Sequence, residues 1–392
     1  MPKWLNKATA YIFAWSLYWT QGMLLPVGSI VSQLLVVVLL IISIYYVYVA
    51  NTRYKLPVFF VGLNVLLAMF TVYGIFLILG GEQAGPLSSF DYLKKIYLSL
   101  LPIYSFYVFS KEKMLTEGMM CWIIIFLFGV VTIMFFQDYQ RQILEAMLRD
   151  SSAEEFTNNI GYYFLALIPT CVYLYKKPLL QYVALGYCVV FMIMGMKRGA
   201  LFIGMICLVW FIWNNLNKAN LKMKLGVVAL SMVLCVFGYM FIQYQMENSL
   251  YFQKRIEETI EGNSSGRDNL YMFFADYFWN KTSPPQFLFG SGAKATIKIS
   301  HHYAHNDWLE IAINQGVFGI VIYLFYWICF ARTVVFGKYA YHERLSLQLL
   351  FVIFFFETFF SMSYGSMPIN AAFVLGYSVA QEKKNEQVVY SN

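Results

Sequence analysis

The segment GSGAKATIKISHHYAHNDWLEIAINQGVFG, residues 290–319, carries a polar, histidine-bearing stretch that turns directly into a long apolar helix. His305, Asn306 and Asp307 stand at the junction. Three of the chain's four histidines (His301, His302 and His305) fall within five residues here. Asp307 followed by Glu310 has the spacing of an N-cap with its capping-box partner, so a helix is expected to start at Asp307. His305 then lies at the positive end of a helix dipole, which disfavours imidazolium and keeps the ring neutral. A neutral imidazole is what a general base needs when the group to be activated is a hydroxyl. The alternative for Asn306, Asp307 and Glu310 is pure capping, which is preferred for Asp307. His301 and His302 read as loop residues.

The surroundings of this segment are those of a membrane protein. The 392 residues are 60% hydrophobic, 19% aromatic and 12% charged, and the apolar runs exceed what a soluble core could use. Spans are expected near residues 8–26, 28–50, 57–80, 92–109, 115–136, 158–175, 179–196, 199–217, 221–243, 307–330, 346–362 and 366–380, about twelve helices in all. The fold class is an all-α polytopic membrane protein, a single integral membrane domain over 1–392. MPKWLNK and the apolar run after it read as a first span rather than a cleaved signal. All six cysteines lie in apolar spans without a C-x-x-C pair, which argues against disulfides and thiolate metal sites.

Alternate loops are basic, and this sets the orientation. Lys3 and Lys7, Arg53 and Lys55, Lys111 and Lys113, Lys176 and Lys177, Arg332, Lys338 and Arg344 are expected on the cytoplasmic side. Glu82, Asp138, Glu145, Asp150, Glu154 and Glu155 fall on the other side. Both termini are therefore expected in the cytoplasm, with the long 244–306 loop facing outward between the ninth and tenth spans. Gln137 to Thr157 carries Ile143, Leu144, Met147 and Leu148 at helical spacing and reads as an amphipathic helix on the outer surface. Within the long loop, Ser264 or Ser265 is expected to cap a helix beginning near Gly266, and Pro284-Pro285 to end the region. That loop is too rich in aromatics for disorder.

Two arginines invite a chemical reading. Lys197-Arg198 stand between two apolar runs at the outward end, where the positive-inside bias disfavours them. Such an arginine is paired, snorkelled to lipid phosphate, or bound to a ligand. Arg267 lies in a loop whose six basic and six acidic residues make no general positive field, so an anion held there is held by a specific guanidinium. A surface pair with Asp268 is the alternative. A metal site from His301, His302, His305 and Asp307 lacks the H-E-x-x-H spacing and a fourth ligand. Glu357, in FFFETFF, is a carboxylate inside an apolar helix, where a partner or role is expected. Gly316 and Gly319 are expected to permit close helix packing.

Taken together, MGMKRGALF (194–202), SSGRDNLY (264–271), LFGSG (288–292) and AHNDWLEIAINQGVFG (304–319) resemble the O-antigen ligase and Wzy polymerase superfamily of bacterial inner membranes. The resemblance covers about residues 160–330. It implies a GT-C-like glycosyltransferase that needs no metal or other cofactor and binds no nucleic acid. Its donor and acceptor would be undecaprenyl-pyrophosphate-linked oligosaccharides within the membrane lipid, with a chain-length regulator and a flippase as partner proteins. Carried over by motif, Arg198 and Arg267 would hold the pyrophosphate, and His305 would activate the acceptor hydroxyl for inverting attack. Lys197, Asn306 and Arg255 join the binding set, with Asp276, Glu310 and Glu357 as further candidates. The K-R-G-A and G-R-D forms of the motifs favour a polymerase of O-antigen or capsular repeats over a ligase acting on lipid A-core. A flippase or other transporter is the rival class, but it would place charge near the bilayer midplane rather than at one outer end.

Overall fold

The computed structural model describes residues 6–20, 28–80, 89–148, 158–218, 267–361, 363–365 and 367–383, with isolated positions between 225 and 257. Among these residues the structure is helical and contains no strand. In chain order the helices are α1 (Lys7–Trp19), α2 (Ile30–Arg53), α3 (Val58–Leu79), α4 (Ser89–Leu100), α5 (Pro102–Lys111), α6 (Glu117–Leu148), α7 (Gly161–Leu165), α8 (Ile168–Cys171), α9 (Pro178–Met194) and α10 (Arg198–Lys218). They continue as α11 (Arg267–Asp276), α12 (Pro284–Phe289), α13 (Ala295–Ser300), α14 (Asp307–Phe336), α15 (Tyr341–Phe360) and α16 (Ile369–Ala380).

The protein is an all-α membrane protein. Among the described residues five helical segments are long and apolar enough to cross a bilayer: Ile30–Arg53, Val58–Leu79, Glu117–Gln142, Arg198–Asn215 and Asp307–Phe336. They turn large apolar side chains outward, Trp122 at 73% and Trp213 at 62% exposure, which water would penalise and lipid accepts. The innermost layer is α5 and α16, buried along nearly their whole length. A Cβ at Gly376 would lie 2.5 Å from the Ile103 carbonyl oxygen, so these two helices touch at the backbone.

The twelve expected spans map onto this set unevenly. The 92–109 span is two helices, α4 and α5, meeting at Pro102, which has no N–H to continue the ladder. The 158–175 span is α7, α8 and a 3₁₀ turn at Val172–Leu174, with Pro169 interrupting the run. Most of 221–243 lies outside the described residues. The separate surface helix expected from Gln137 is corrected: α6 continues unbroken to Leu148. Residues 149–157 lie outside the described set, as do Ser264 and Ser265.

The basic turns gather at one end of the bundle. The Asn6 side chain donates to the Met114 carbonyl at 2.8 Å, and the Lys383 N–H donates to the Lys338 carbonyl at 2.9 Å. Lys176 pairs with Glu117 at 2.7 Å, and the Tyr175 ring stacks on His342, the fourth histidine, at 3.8 Å. The 290s segment belongs to a different cluster, formed with α3, α11, α14 and the C-terminal end of α15.

One helix departs from regularity in a way that positions the site. Inside α14, Gly316 adopts φ 68° and ψ −163°, a conformation open only to glycine, so the helix breaks there. From Val317 the remaining 20 residues to Phe336 span about 30 Å, the thickness of the hydrocarbon core. The first segment, Asp307–Gln315, is different in kind: Asp307, Glu310, Asn314 and Gln315 are all buried in protein. Gly316 was expected to serve helix packing; its main role is this break.

Candidate functional site

The break at Gly316 frees the carbonyls of Ile313 and Asn314 from their helical partners. The Ser291 N–H donates to Ile313 at 2.8 Å and the Gly292 N–H to Asn314 at 3.0 Å. Gly290, at φ 78°, fits against the same turn, where any Cβ would lie 2.3 Å from the Asn314 backbone. The LFGSG stretch is thereby clamped to α14. The helical run begins at Arg267, beside the expected Gly266, and stops at Lys281 just ahead of Pro284 and Pro285, which themselves open α12, since proline suits the first turn, where the N–H has no helical acceptor.

Glu310 holds the rest of the segment. Its buried carboxylate accepts from the Thr296 hydroxyl at 2.6 Å, the Ala304 N–H at 2.9 Å and the Asn314 amide at 3.0 Å. Three donors from α13, the loop and α14 meet on one side chain, which makes Glu310 the anchor for the turn carrying His305. The expected capping box is corrected. Asn306 is the N-cap of α14, accepting from Trp308 N–H at 3.0 Å and Leu309 N–H at 3.1 Å. Asp307 points inward, where its carboxylate accepts from Tyr323 at 2.7 Å and from the Ser363 N–H at 3.1 Å. It thereby ties the chain after α15 to α14, and is not placed to share a ligand with His305.

Around His305 the candidate residues come together. The Tyr271 hydroxyl lies 3.1 Å from both the His305 and the Phe359 carbonyl oxygens. Arg267 donates to the Phe360 carbonyl at 2.8 Å. Asn306 reaches toward Phe359 O at 3.5 Å, a long contact. The C-terminal carbonyls of α15 therefore hold α11 and the start of α14 in register. Arg198 opens α10, and the next residue explains its motif: a Cβ on Gly199 would lie 2.4 Å from the Tyr162 hydroxyl and 3.4 Å from Phe360 Cβ. Only glycine lets α10 approach α7 and α15 this closely, bringing Lys197 and Arg198 to the same corner. Lys197, Arg198 and Arg267 are all half-buried.

The electrostatics suit an anion beside a neutral base. The N-termini of α10 and α14 both end here, adding partial positive charge to the cations. His305 has an exposed edge and a left-handed backbone at φ 51°. Crowding by the protein, then the positive charges of Arg267, Lys197 and His302, push its pKa below the ordinary 6.5. The ring is therefore neutral through physiological pH. The acid limb of a kcat/KM profile is accordingly expected below pH 6.5. Lys197→Gln, by removing one repelling charge, should move it upward; a limb that does not move would separate Lys197 from His305.

The other expected residues fall elsewhere. Asp276 pairs with Lys281 at 2.9 Å and accepts from Asn280 at 2.8 Å on the surface, about 13 Å along α11 from Arg267 by helical rise. Glu357 is buried one turn before Phe360, beneath the corner, near enough for its charge to act on Tyr162. Arg255 lies outside the described residues. His301 ends α13 in the left-handed region, and both it and His302 are exposed. Among the described residues no three His, Cys, Asp or Glu side chains form a metal-binding group. Sequence reasoning missed Tyr271 and Tyr162. Tyr271 was open to discovery, since it sits four residues after Arg267 and so on the same helix face.

With the arginines, the histidine and their helix ends on one corner, the comparisons with known proteins bear on a defined site. Residues 183–324 match the O-antigen ligase family, Wzy_C. This is the superfamily that the four motifs resemble. The matched stretch runs from within α9 into α14, and takes in Lys197, Arg198, Arg267, His305 and Asn306. Tyr162, Glu357 and the α15 carbonyls lie beyond it. A search of curated proteins returned no match. The Wzy_C match points to glycosyl transfer on lipid-linked glycans in a multi-pass membrane protein.

Proposed function

We propose that the protein is a polymerase of O-antigen or capsular repeat units, transferring a glycan from undecaprenyl pyrophosphate to a sugar hydroxyl of another lipid-linked repeat. The observation that carries this reading is the convergence of Arg198, Arg267 and Lys197 with two helix N-termini beside a neutral, solvent-accessible His305. In the proposed reaction the hydroxyl oxygen attacks the anomeric carbon as His305 takes its proton. The bond to pyrophosphate breaks on the opposite face, with inversion, and the leaving group departs as an anion held by the guanidiniums. Lys197 lowers the basicity of His305 and adds charge to the anion site. Asn306 fixes the start of α14, and Tyr271 fixes the carbonyl of His305 and so its ring position. The site faces the extracytoplasmic side of the bacterial inner membrane, with both termini and the basic turns in the cytoplasm.

The family description itself supports a second reading, a ligase passing the glycan to lipid A-core. Glycan profiles of cells lacking the protein separate the two. Loss of a polymerase leaves single repeats on the surface anchor, whereas loss of a ligase leaves polymer on the carrier lipid. Little or no surface glycan of either kind would instead indicate a flippase.

Arg198→Lys tests the grip on phosphate. Lysine keeps the charge but loses the planar fork. Losing one charge-assisted hydrogen bond, about 1.5–3 kcal/mol, should lower kcat/KM roughly ten- to a hundredfold. Near-normal transfer would return Arg198 to a lipid-snorkelling role.

A further inference from the structure

A groove of about 530 Å³ lies between α3 and α14, and none of the arginines lines it. Its wall is Val72, Phe76 and Leu77 of α3 with Phe318 of α14; its rim is Gly290–Ala293 with Lys298. The size is that of a ligand cleft. Both walls belong to helices able to cross a membrane, and Phe76 is 68% exposed. The apolar wall of the groove therefore suits lipid rather than water. Its rim is different in character. The LFGSG turn is clamped to α14 as described above, the Tyr73 hydroxyl of α3 donates to the Phe289 carbonyl, and Lys298 brings a positive charge. The buried Ser291 hydroxyl has no hydrogen-bond partner among the described residues. An apolar trough ending in a cationic rim complements an amphiphile with a hydrocarbon chain and an anionic head.

We infer that this groove takes the hydrocarbon chain of the acceptor, the second lipid-linked glycan, with its phosphate at the Lys298 rim. The inference rests on the transfer reading above. The assignment to the acceptor follows from placement. α14 packs along α3 on one flank and α15 on the other, and the arginines gather at the α10 and α15 flank. A donor with its pyrophosphate on those arginines leaves its chain on that flank. A chain on the α3 flank belongs to the other substrate. Lys298 and His305 belong to one segment, anchored on Glu310 through Thr296 and Ala304, so a head group at the rim contacts the same segment that carries His305. The break at Gly316 serves both ends, since it frees the carbonyls that hold the rim and orients the short helix that presents His305.

The test uses full-length protein in detergent with a fixed lipid-pyrophosphate donor. The acceptor is offered on a long isoprenoid chain or on a short, water-soluble one. Wild type should take the long-chain acceptor with a KM lower by about tenfold or more, the effect of burying two methylene groups. Val72→Trp and Phe318→Trp each narrow the groove from a half-exposed position and should remove that preference while donor KM stays unchanged. Monodisperse elution checks that each variant is folded. A preference absent from wild type, or surviving in both folded variants, would overturn the assignment and leave the groove to bulk phospholipid. A rise in donor KM instead would give the groove to the donor chain and overturn it equally. No transfer by wild type with either acceptor would remove the transfer reading, and the groove assignment with it.

Discussion

Replacing His305 with alanine is expected to abolish glycan transfer while the protein still accumulates in the membrane. The ring has an exposed edge, and the hydrogen bond that His305 makes to Tyr271 uses its backbone carbonyl rather than the imidazole. Alanine therefore leaves the turn's anchors, Glu310 and Asn306, in place. The loss should be chemical, roughly 10²–10⁴-fold for a general base. Its magnitude should be greatest where the acceptor hydroxyl is least acidic. Measured in detergent with matched protein amounts, wild-type activity in this variant would remove His305 from the mechanism.

Gly316→Val should have the opposite signature, loss of the folded protein rather than of one step. The backbone at φ 68° and ψ −163° excludes side chains, at a strain cost of about 1–3 kcal/mol. A Cβ would also lie 2.5 Å from the Gly290 nitrogen and 2.6 Å from the Leu288 carbonyl, so the backbone itself must move. Overpacking of this kind adds about 1–3 kcal/mol, and moving the turn also releases the clamp on Ser291 and Gly292. Detergent-extracted protein should aggregate or melt well below wild type, with activity lost in proportion. A stable variant with normal transfer would mean that the break in α14 is not required.

The contrast between His305 and Gly316 also marks what the sequence could convey. The apolar run after Asn306 predicts a helix because hydrophobic length is local information, and the helix starts within one residue of the expected place. Which of Asn306 and Asp307 caps it was not legible, because both have the right side chain; the choice was made by Ser363 and Tyr323, distant residues that bury Asp307. The arginines were legible as charges in the wrong place for a membrane loop. Their convergence was not, since it depends on Gly199 admitting Tyr162 and on Phe360 offering its carbonyl to Arg267. Gly316 and Gly319 have the spacing of a packing motif, and nothing local says that one of them breaks the helix; that is set by Gly290 docking from outside. Pro102 and Pro169 could have warned that two expected spans are interrupted, because proline removes a helical donor wherever it falls.

The most direct test of the central claim is transfer by the purified protein alone, with one lipid-pyrophosphate-linked repeat unit as the only substrate. A ladder of longer lipid-linked chains, with release of the carrier pyrophosphate, is the expected result. No ladder, but product once lipid A-core is added to lipid-linked glycan, would contradict the polymerase assignment and make the protein a ligase. No product under either condition would contradict glycosyl transfer itself.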